Sequence, residues 1–356
     1  MIKILVVDDS ALVRKLIGQV FATQADFDVQ FARNGREALD AIGVARPDVV
    51  TLDVNMPEMD GLACLDRIMI EHPCPVVMVS TTTAAGANAT LEALRLGAID
   101  FVAKPAGAVS LGIDTLAQPL IDKVRAAAGA KLKSSLRLRE RIRHRIGESV
   151  KVLPRASTRQ PKPVATNPGL VLIGTSTGGP PALETLLTAL PASFPWPIVV
   201  AQHMPATFTG PLARRLDGIS RITVREVVEP VALEPGHAYI GRGEADVIVS
   251  RRGRGLFAMA APVDKAYPWH PSTDRLVRSA LNHVAPNLLV GVLMTGMGND
   301  GAEAMALVHS QGGRTIAEAE ATAVVWGMPG ELVKAGGADF VVPLPKIAAQ
   351  LKRLVG

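Results

Sequence analysis

At 356 residues the chain is longer than a single hydrophobic core commonly serves, so two domains are expected. With 48% apolar and 20% charged residues it excludes a disordered or low-complexity protein, and no apolar run is long enough to span a bilayer. The net charge of +5 is local: residues 123–162 hold 13 Lys or Arg against Glu140 and Glu148, the remainder is acidic, and a nucleic-acid surface over the whole molecule is excluded.

The first apolar run, Ile4–Val7, meets Asp8-Asp9 too soon for a secretory signal peptide. Val29–Ala32, Val49–Leu52, Val76–Val79 and Phe101–Ala103 come next, separated by amphipathic stretches such as Ala11–Phe21 and Gly35–Gly43. That alternation predicts five parallel strands with helices on both faces, a flavodoxin-like fold over residues 1–105. Cys64 and Cys74 are too few for a disulfide framework and read as packing residues of a reduced, cytoplasmic protein. Residues 106–168 are rich in Ala, Leu, Lys and Arg to Gly147 and are then broken by Pro154, Pro161, Pro163 and Pro168. They predict a basic helix and a Pro-containing linker, although arginine alternates with other residues over Arg137–Arg145 at a strand-like period.

From residue 169 the alternation resumes. Leu170–Ile173, Ile198–Ala201, Val247–Val249, Val290–Met294 and Phe340–Val342 read as buried strands of a second doubly wound α/β domain, residues 169–356. Closer turns in 221–263, Glu234-Pro235-Gly236 and Gly241-Arg242-Gly243, predict a few antiparallel strands there.

A parallel sheet gathers the residues just past its strands on one edge. In the first domain these residues are Asp8 and Asp9, Asp53 and Lys104. Three carboxylates repel one another unless a hard cation such as Mg²⁺ joins them, and Lys104 adds a point charge suited to a phosphate oxygen.

In the second domain, Gly174-Thr175-Ser176-Thr177-Gly178-Gly179-Pro180-Pro181 reads as strand, glycine turn and helix start. A serine there has its hydroxyl near a helix N-terminus, which favours developing negative charge. Gly-x-Ser-x-Gly marks a nucleophile elbow, and alone it reads equally as a phosphate-binding or capping turn. His203 follows Ile198–Gln202, and Asp300 follows Val290–Met294, so Ser176, His203 and Asp300 share an edge. Their order differs from the Ser, Asp, His of α/β-hydrolases and predicts a convergent triad. Two rivals stand beside it. Gly296-Met297-Gly298-Asn299-Asp300-Gly301 is also a dinucleotide-binding glycine pattern, with Glu318 and Glu320 about 20 residues on. A non-enzymatic adaptor or transcription regulator is the other, although no segment resembles a helix-turn-helix with a basic face.

Asp8-Asp9, Asp53, Met56-Pro57-x-x-Asp60-Gly61, Ser80 and Lys104-Pro105 resemble the two-component receiver domain in type, order and spacing. The resemblance implies phosphorylation at Asp53, Mg²⁺ held by Asp8, Asp9 and Asp53, and a switch through Ser80, Phe101 and Lys104. Gly174-x-Ser176-Thr177-Gly178-Gly179-Pro180, Gln202-His203-Met204-Pro205 and Thr295-Gly296-Met297-Gly298-x-Asp300-Gly301 resemble the three signatures of the chemotaxis protein-glutamate methylesterases, the CheB family. That implies Ser176 as nucleophile, His203 as general base and acid, Asp300 as its orienting group and the Met297 N–H as an oxyanion donor. The α/β-hydrolase pattern makes Thr177 the second donor.

The implied activity is hydrolysis of glutamate γ-methyl esters, with methanol released, and deamidation of selected glutamines on chemoreceptor helices. A chemotaxis-type sensor histidine kinase supplies the phosphoryl group. Hydrolysis uses no cofactor, and neither nucleic acid nor membrane insertion is involved. The unphosphorylated receiver would cover the cleft. The resulting division is a receiver over 1–105, a basic linker over 106–168 and a catalytic domain over 169–356. One segment departs from the family: in Trp269-His270-Pro271-Ser272-x-Asp274, His270 replaces an arginine in the cleft lining.

Overall fold

The computed structural model describes residues 1–104, 109–130 and 169–356. Pro105, the arginine-rich stretch 137–145 and the prolines at 154, 161, 163 and 168 lie outside the described residues. Two compact units lie within Met1–Val150 and Lys151–Gly356. Among the described residues no helix is long and apolar enough to cross a membrane.

The first unit is built on β1 (Ile2–Val7), β2 (Phe27–Ala32), β3 (Val49–Asp53), β4 (Val76–Ser80) and β5 (Asp100–Ala103), all parallel in the order β2-β1-β3-β4-β5. Each expected strand falls within one of these. The central strands β3 and β4 are buried along their whole length, which is why they read as continuous apolar runs. Helices α1 (Ala11–Ala22), α2 (Gly35–Ala45), α3 (Gly61–Glu71) and α4 (Ala84–Leu96) begin where a short polar side chain caps them. Ser10, Asn34, Asp60 and Thr83 each accept a hydrogen bond from a backbone N–H in the first turn. Helix α5 (Val109–Ala128) starts in the segment read as linker and packs on this sheet, burying Leu116, Leu120, Ile121 and Val124.

The second unit centres on seven parallel strands in the order β15-β14-β13-β6-β7-β10-β8. They are β6 (Leu170–Thr175), β7 (Ile198–Gln202), β8 (Thr223–Val227), β10 (His237–Gly241), β13 (Leu289–Leu293), β14 (Arg314–Glu318) and β15 (Phe340–Val342). Helices α6 (Gly179–Thr188), α7 (Ala206–Ile219), α8 (Thr273–Leu281), α9 (Ala302–Ser310), α10 (Met328–Lys334) and α11 (Leu344–Val355) complete the layers. A small antiparallel sheet, β11-β12-β9, holds β9 (Val231–Ala232), β11 (Asp246–Arg252) and β12 (Gly255–Ala261).

The antiparallel strands expected within 221–263 are present: Val247–Val249 lies in β11, which pairs antiparallel with β12. The second unit differs from the sequence reading in two places. Within 221–263, β8 and β10 belong to the parallel sheet. Strand β14 was not foreseen because its buried positions include Thr315 and Glu318, polar side chains satisfied by hydrogen bonds.

Candidate functional site

In the first unit, β1 leads into Asp8 and Asp9 and β3 ends at Asp53, and one carboxylate oxygen from each lies within 4.8 Å of the others. Lys104, past β5, places Nζ 2.9 Å from Asp8 Oδ2 and 2.9 Å from Asp53 Oδ2. Burial raises the Asp53 carboxyl above its ordinary value, an effect that the Lys104 charge offsets only in part and that Asp8 reinforces. Burial also acts to lower Lys104, but the two carboxylates outweigh it and the ammonium is held above its usual range.

Asp53 Oδ1 is buried with no hydrogen-bond partner. An orphaned carboxylate oxygen beside two more carboxylates is a donor set for a hard divalent cation, so these residues fit Mg²⁺. Gly61 allows the chain to pass close behind this site, since a Cβ there would lie 2.1 Å from the Asp53 carbonyl oxygen. Ser80 is fully buried, donates from Oγ to Gly86 O at 3.3 Å and accepts the Lys104 N–H on its carbonyl. The buried Phe101 ring lies under Lys123 Nζ, 5.0 Å from its centroid.

In the second unit, Ser176, His203 and Asp300 follow β6, β7 and β13, three adjacent strands. The Ser176 turn needs glycine twice. Gly178 has φ +76°, and a Cβ on Gly179 would sit 2.0 Å from Gln202 Oε1. Pro180 and Pro181 then open α6, which costs no intrahelical hydrogen bond in the first turn. The Ser176 loop is tied to its neighbours on both sides. The Ser176 N–H donates to Thr295 O at 3.0 Å, and the His203 N–H donates to Thr175 O at 3.1 Å. Gln202 Nε2 donates to both Ser176 O and His203 O at 3.0 Å.

His203 Nε2 lies 2.7 Å from Asp300 Oδ2, while His203 Nδ1 is buried without a hydrogen-bond partner. A carboxylate only accepts, so Nε2 carries the proton of that bond and Nδ1 holds a lone pair when the ring is neutral. Asp300 is 2% exposed and also accepts from Ser272 Oγ at 3.0 Å, Thr273 N at 2.6 Å and Asp274 N at 3.0 Å. It therefore sits on the positive N-terminus of α8. Burial alone would raise its carboxyl, but the His203 hydrogen bond and charge, with the Asp274 and Thr273 N–H groups, hold it below the usual range. The capping is reciprocal, because Asp274 of α8 accepts from Ala304 N of α9 at 2.9 Å.

The Met297 N–H has no hydrogen-bond partner among the described residues, and Met297 is followed by Gly298 at φ +84°. Thr177 is buried, and its carbonyl accepts from Thr295 Oγ1 at 2.9 Å. Trp269 lies parallel to His203, with ring centroids 6.1 Å apart and planes at 7°. In the alternative dinucleotide pattern Glu318 would face a ribose, whereas its Oε2 accepts the Thr295 N–H at 2.9 Å.

The sequence reading did not find Ser272 and Thr273 as partners of Asp300, nor the Gln202 and Thr295 ties. Ser272-x-Asp274 before an amphipathic run is a helix-start signal, but nothing local says that a carboxylate from residue 300 joins it.

Compared with known proteins, residues 171–351 match the CheB methylesterase family and residues 4–112 match the response regulator receiver domain. Protein-glutamate methylesterase/protein-glutamine glutaminase 2 of Rhodopseudomonas palustris (strain BisB18) is 56% identical over 354 residues, covering 98% of this chain and 97% of that protein. Protein-glutamate methylesterase/protein-glutamine glutaminase 3 of Rhodospirillum rubrum is 51% identical, covering 99% and 95%. Among solved structures, the Thermotoga maritima CheB methylesterase catalytic domain is 38% identical with a TM-score of 0.52, covering 53% of this chain and 100% of that one.

Proposed function

The chain belongs to the CheB methylesterase family, and we propose that Ser176 is its nucleophile, His203 the general base and then acid, and Asp300 the group that orients His203. The protein is a receiver-regulated protein-glutamate methylesterase and protein-glutamine glutaminase. The observation that carries the site reading is the His203–Asp300 pair at 2.7 Å with Nδ1 left unpaired in the loop beside Ser176.

In this reading Nδ1 takes the Ser176 proton as Oγ bonds to the ester carbonyl carbon. The bond to the methoxy oxygen breaks, His203 returns the proton to it, and methanol leaves. Water, deprotonated by His203, then attacks the acyl-enzyme, releasing the glutamate carboxylate and restoring Ser176. A glutamine side chain takes the same route with ammonia leaving. The unpaired Met297 N–H, with the Thr177 N–H as second donor, faces the developing oxyanion. No cofactor enters hydrolysis.

In the receiver, Asp53 accepts the phosphoryl group from a chemotaxis-type histidine kinase. Asp8, Asp9 and Asp53 would hold the Mg²⁺ that, when bound, offsets the charge of phosphoryl transfer. Ser80, Phe101 and Lys104 respond to the new charge, and hydrolysis rises. The substrate is the cytoplasmic helices of methyl-accepting chemoreceptors, and the enzyme works in the cytoplasm. Its receiver ends near residue 105, with α5 packed against it, its basic linker runs to 168 and its catalytic domain comes after.

The test is methanol release from a methylated receptor fragment, with and without acetyl phosphate and Mg²⁺. Release that rises on phosphorylation and disappears in Ser176→Ala is expected; release unchanged in Ser176→Ala removes the nucleophile assignment.

A further inference from the structure

A second buried carboxylate grips the segment that holds Asp300. Asp246 opens β11 and is fully buried. Its Oδ1 faces His270 Nδ1 at 2.9 Å and accepts the Ser272 N–H at 2.7 Å, while Oδ2 accepts from the Arg275 guanidinium. Asp300 takes the interleaved donors of the same stretch: Ser272 Oγ, Thr273 N and Asp274 N. Residues 270–275 thus run between two carboxylates, and Ser272 bonds to both, by its N–H to Asp246 and by its hydroxyl to Asp300.

A buried carboxylate is unfavourable unless its charge is compensated, so Asp246 and Arg275 are strongly bound to their places. The proposed hydrolysis makes no use of Asp246. Yet the stretch it anchors supplies three of the four groups bonded to Asp300 among the described residues. Trp269, one residue before that stretch, has its indole parallel to His203 and packed on Gly298, where a Cβ would come within 2.8 Å of Trp269 Cζ2.

We infer that Asp246 is a positioning residue of the hydrolase site: it fixes residues 270–275 so that Asp300, and through it His203, keeps one orientation. The inference rests on the reading of Ser176, His203 and Asp300 as the reacting set. Asp246→Asn keeps the shape and one acceptor oxygen but removes the charge that binds His270 and Arg275.

In the full chain, kcat for methanol release from a methylated receptor fragment should fall about 10- to 100-fold in this variant, the scale of a misplaced catalytic group. KM should move by less than about threefold, since no substrate contact is removed. Placed in an Asp300→Asn background, the same substitution should lower kcat by less than about threefold, because its target is already gone. An unchanged kcat in folded Asp246→Asn, or an equal loss in both backgrounds, overturns the inference. If circular dichroism shows Asp246→Asn unfolded, His270→Ala, which removes one donor from Asp246, is read by the same coupling: a loss that shrinks in the Asp300→Asn background supports the inference and an equal loss overturns it. Ser176→Ala is the separate control, and methanol release persisting in it would sink the triad reading rather than the role of Asp246.

Discussion

His203 presents Nε2, not Nδ1, to Asp300, at 2.7 Å, and keeps Nδ1 buried and unpaired. The order Ser, His, Asp along the chain already sets this site apart from α/β-hydrolases. The ring orientation sets it apart from the serine-protease arrangement, in which Nδ1 faces the aspartate and Nε2 serves the serine. What the chemistry needs is preserved either way: one nitrogen holds a proton against a carboxylate and the other is free to take one.

Replacing Asp300 with Asn tests that tautomer. An amide N–H turned toward Nε2 makes Nε2 an acceptor and moves the ring proton to Nδ1, where it cannot receive the Ser176 proton. The fold should survive, because Asn is of the same size and its oxygen can still accept from α8. Steady-state methanol release should show kcat lowered by roughly 10³- to 10⁴-fold, the loss such a substitution causes in a serine triad. A fall of less than about tenfold would mean that Asp300 does not set the His203 tautomer.

The same carboxylate links the second unit to acid. Its folded value is lowered, so the folded state binds the proton less tightly than the unfolded state does. The stabilisation is complete above the unfolded value, about 3.9 for Asp, and is lost as pH falls through the lower folded one. Urea unfolding of the full chain should therefore show little change from pH 7 to 5 through this group and a loss below about 4. The loss should be shallower in Asp300→Asn, although Asp246 and Asp339, also lowered, keep part of it. Superimposable acid limbs for the two proteins would remove Asp300 from the account.

Asp53 behaves in the opposite sense. Its folded value is raised, burial leading and Asp8 adding, so the folded state holds the proton more tightly. Stability from this group grows as pH falls through the raised value, and at neutral pH the ionised carboxylate is a liability. Asp53→Asn should raise the stability of the first unit in EDTA, since it removes a buried charge that the folded state disfavours. Mg²⁺ should stabilise the wild type by about 2.7 kcal/mol at 100 times its dissociation constant, and the variant by much less. Denaturant melts with and without Mg²⁺ decide it; an equal response in both proteins would place the ion elsewhere.

How much of this was legible depended on whether the signal was local. Val49–Leu52 and Val76–Val79 could be read as buried parallel strands because every position is apolar or nearly so. Ser176, His203 and Asp300 could be nominated because each comes directly after such a run. Strand β14 was hidden by the polar Arg314, Thr315 and Glu318, and the burial of Thr315 and Glu318 depends on partners such as Asp339 and Thr295 that are distant in sequence. The short turns of 221–263 suggested hairpins, and β11 and β12 form one, but β8 and β10 of the same segment pair with each other in parallel. The grip on Asp300 joins residues 246, 270–275 and 300, and no period or motif in any one segment announces it.

Thr295 ties three loops together, and its hydroxyl can be removed at constant shape. Oγ1 donates to Thr177 O at 2.9 Å and accepts from Val324 N and Val325 N, both at 3.1 Å. Its carbonyl accepts from Ser176 N and Thr175 Oγ1, both at 3.0 Å. The hydroxyl therefore links the serine turn to the loop that carries Met297. Thr295→Val leaves two backbone N–H groups and one carbonyl short of a partner, and a buried polar group left unpaired costs about 1–3 kcal/mol. The loss of stability should fall in that range, since the loops can relax or admit water, and kcat should drop about 10- to 100-fold as Ser176 and the Met297 loop separate. Thr295→Ser keeps the hydroxyl and loses one methyl, so it should recover most of the rate and cost about 1 kcal/mol. Equal kcat in the Val and Ser variants would show that the hydroxyl does not hold the loops in register.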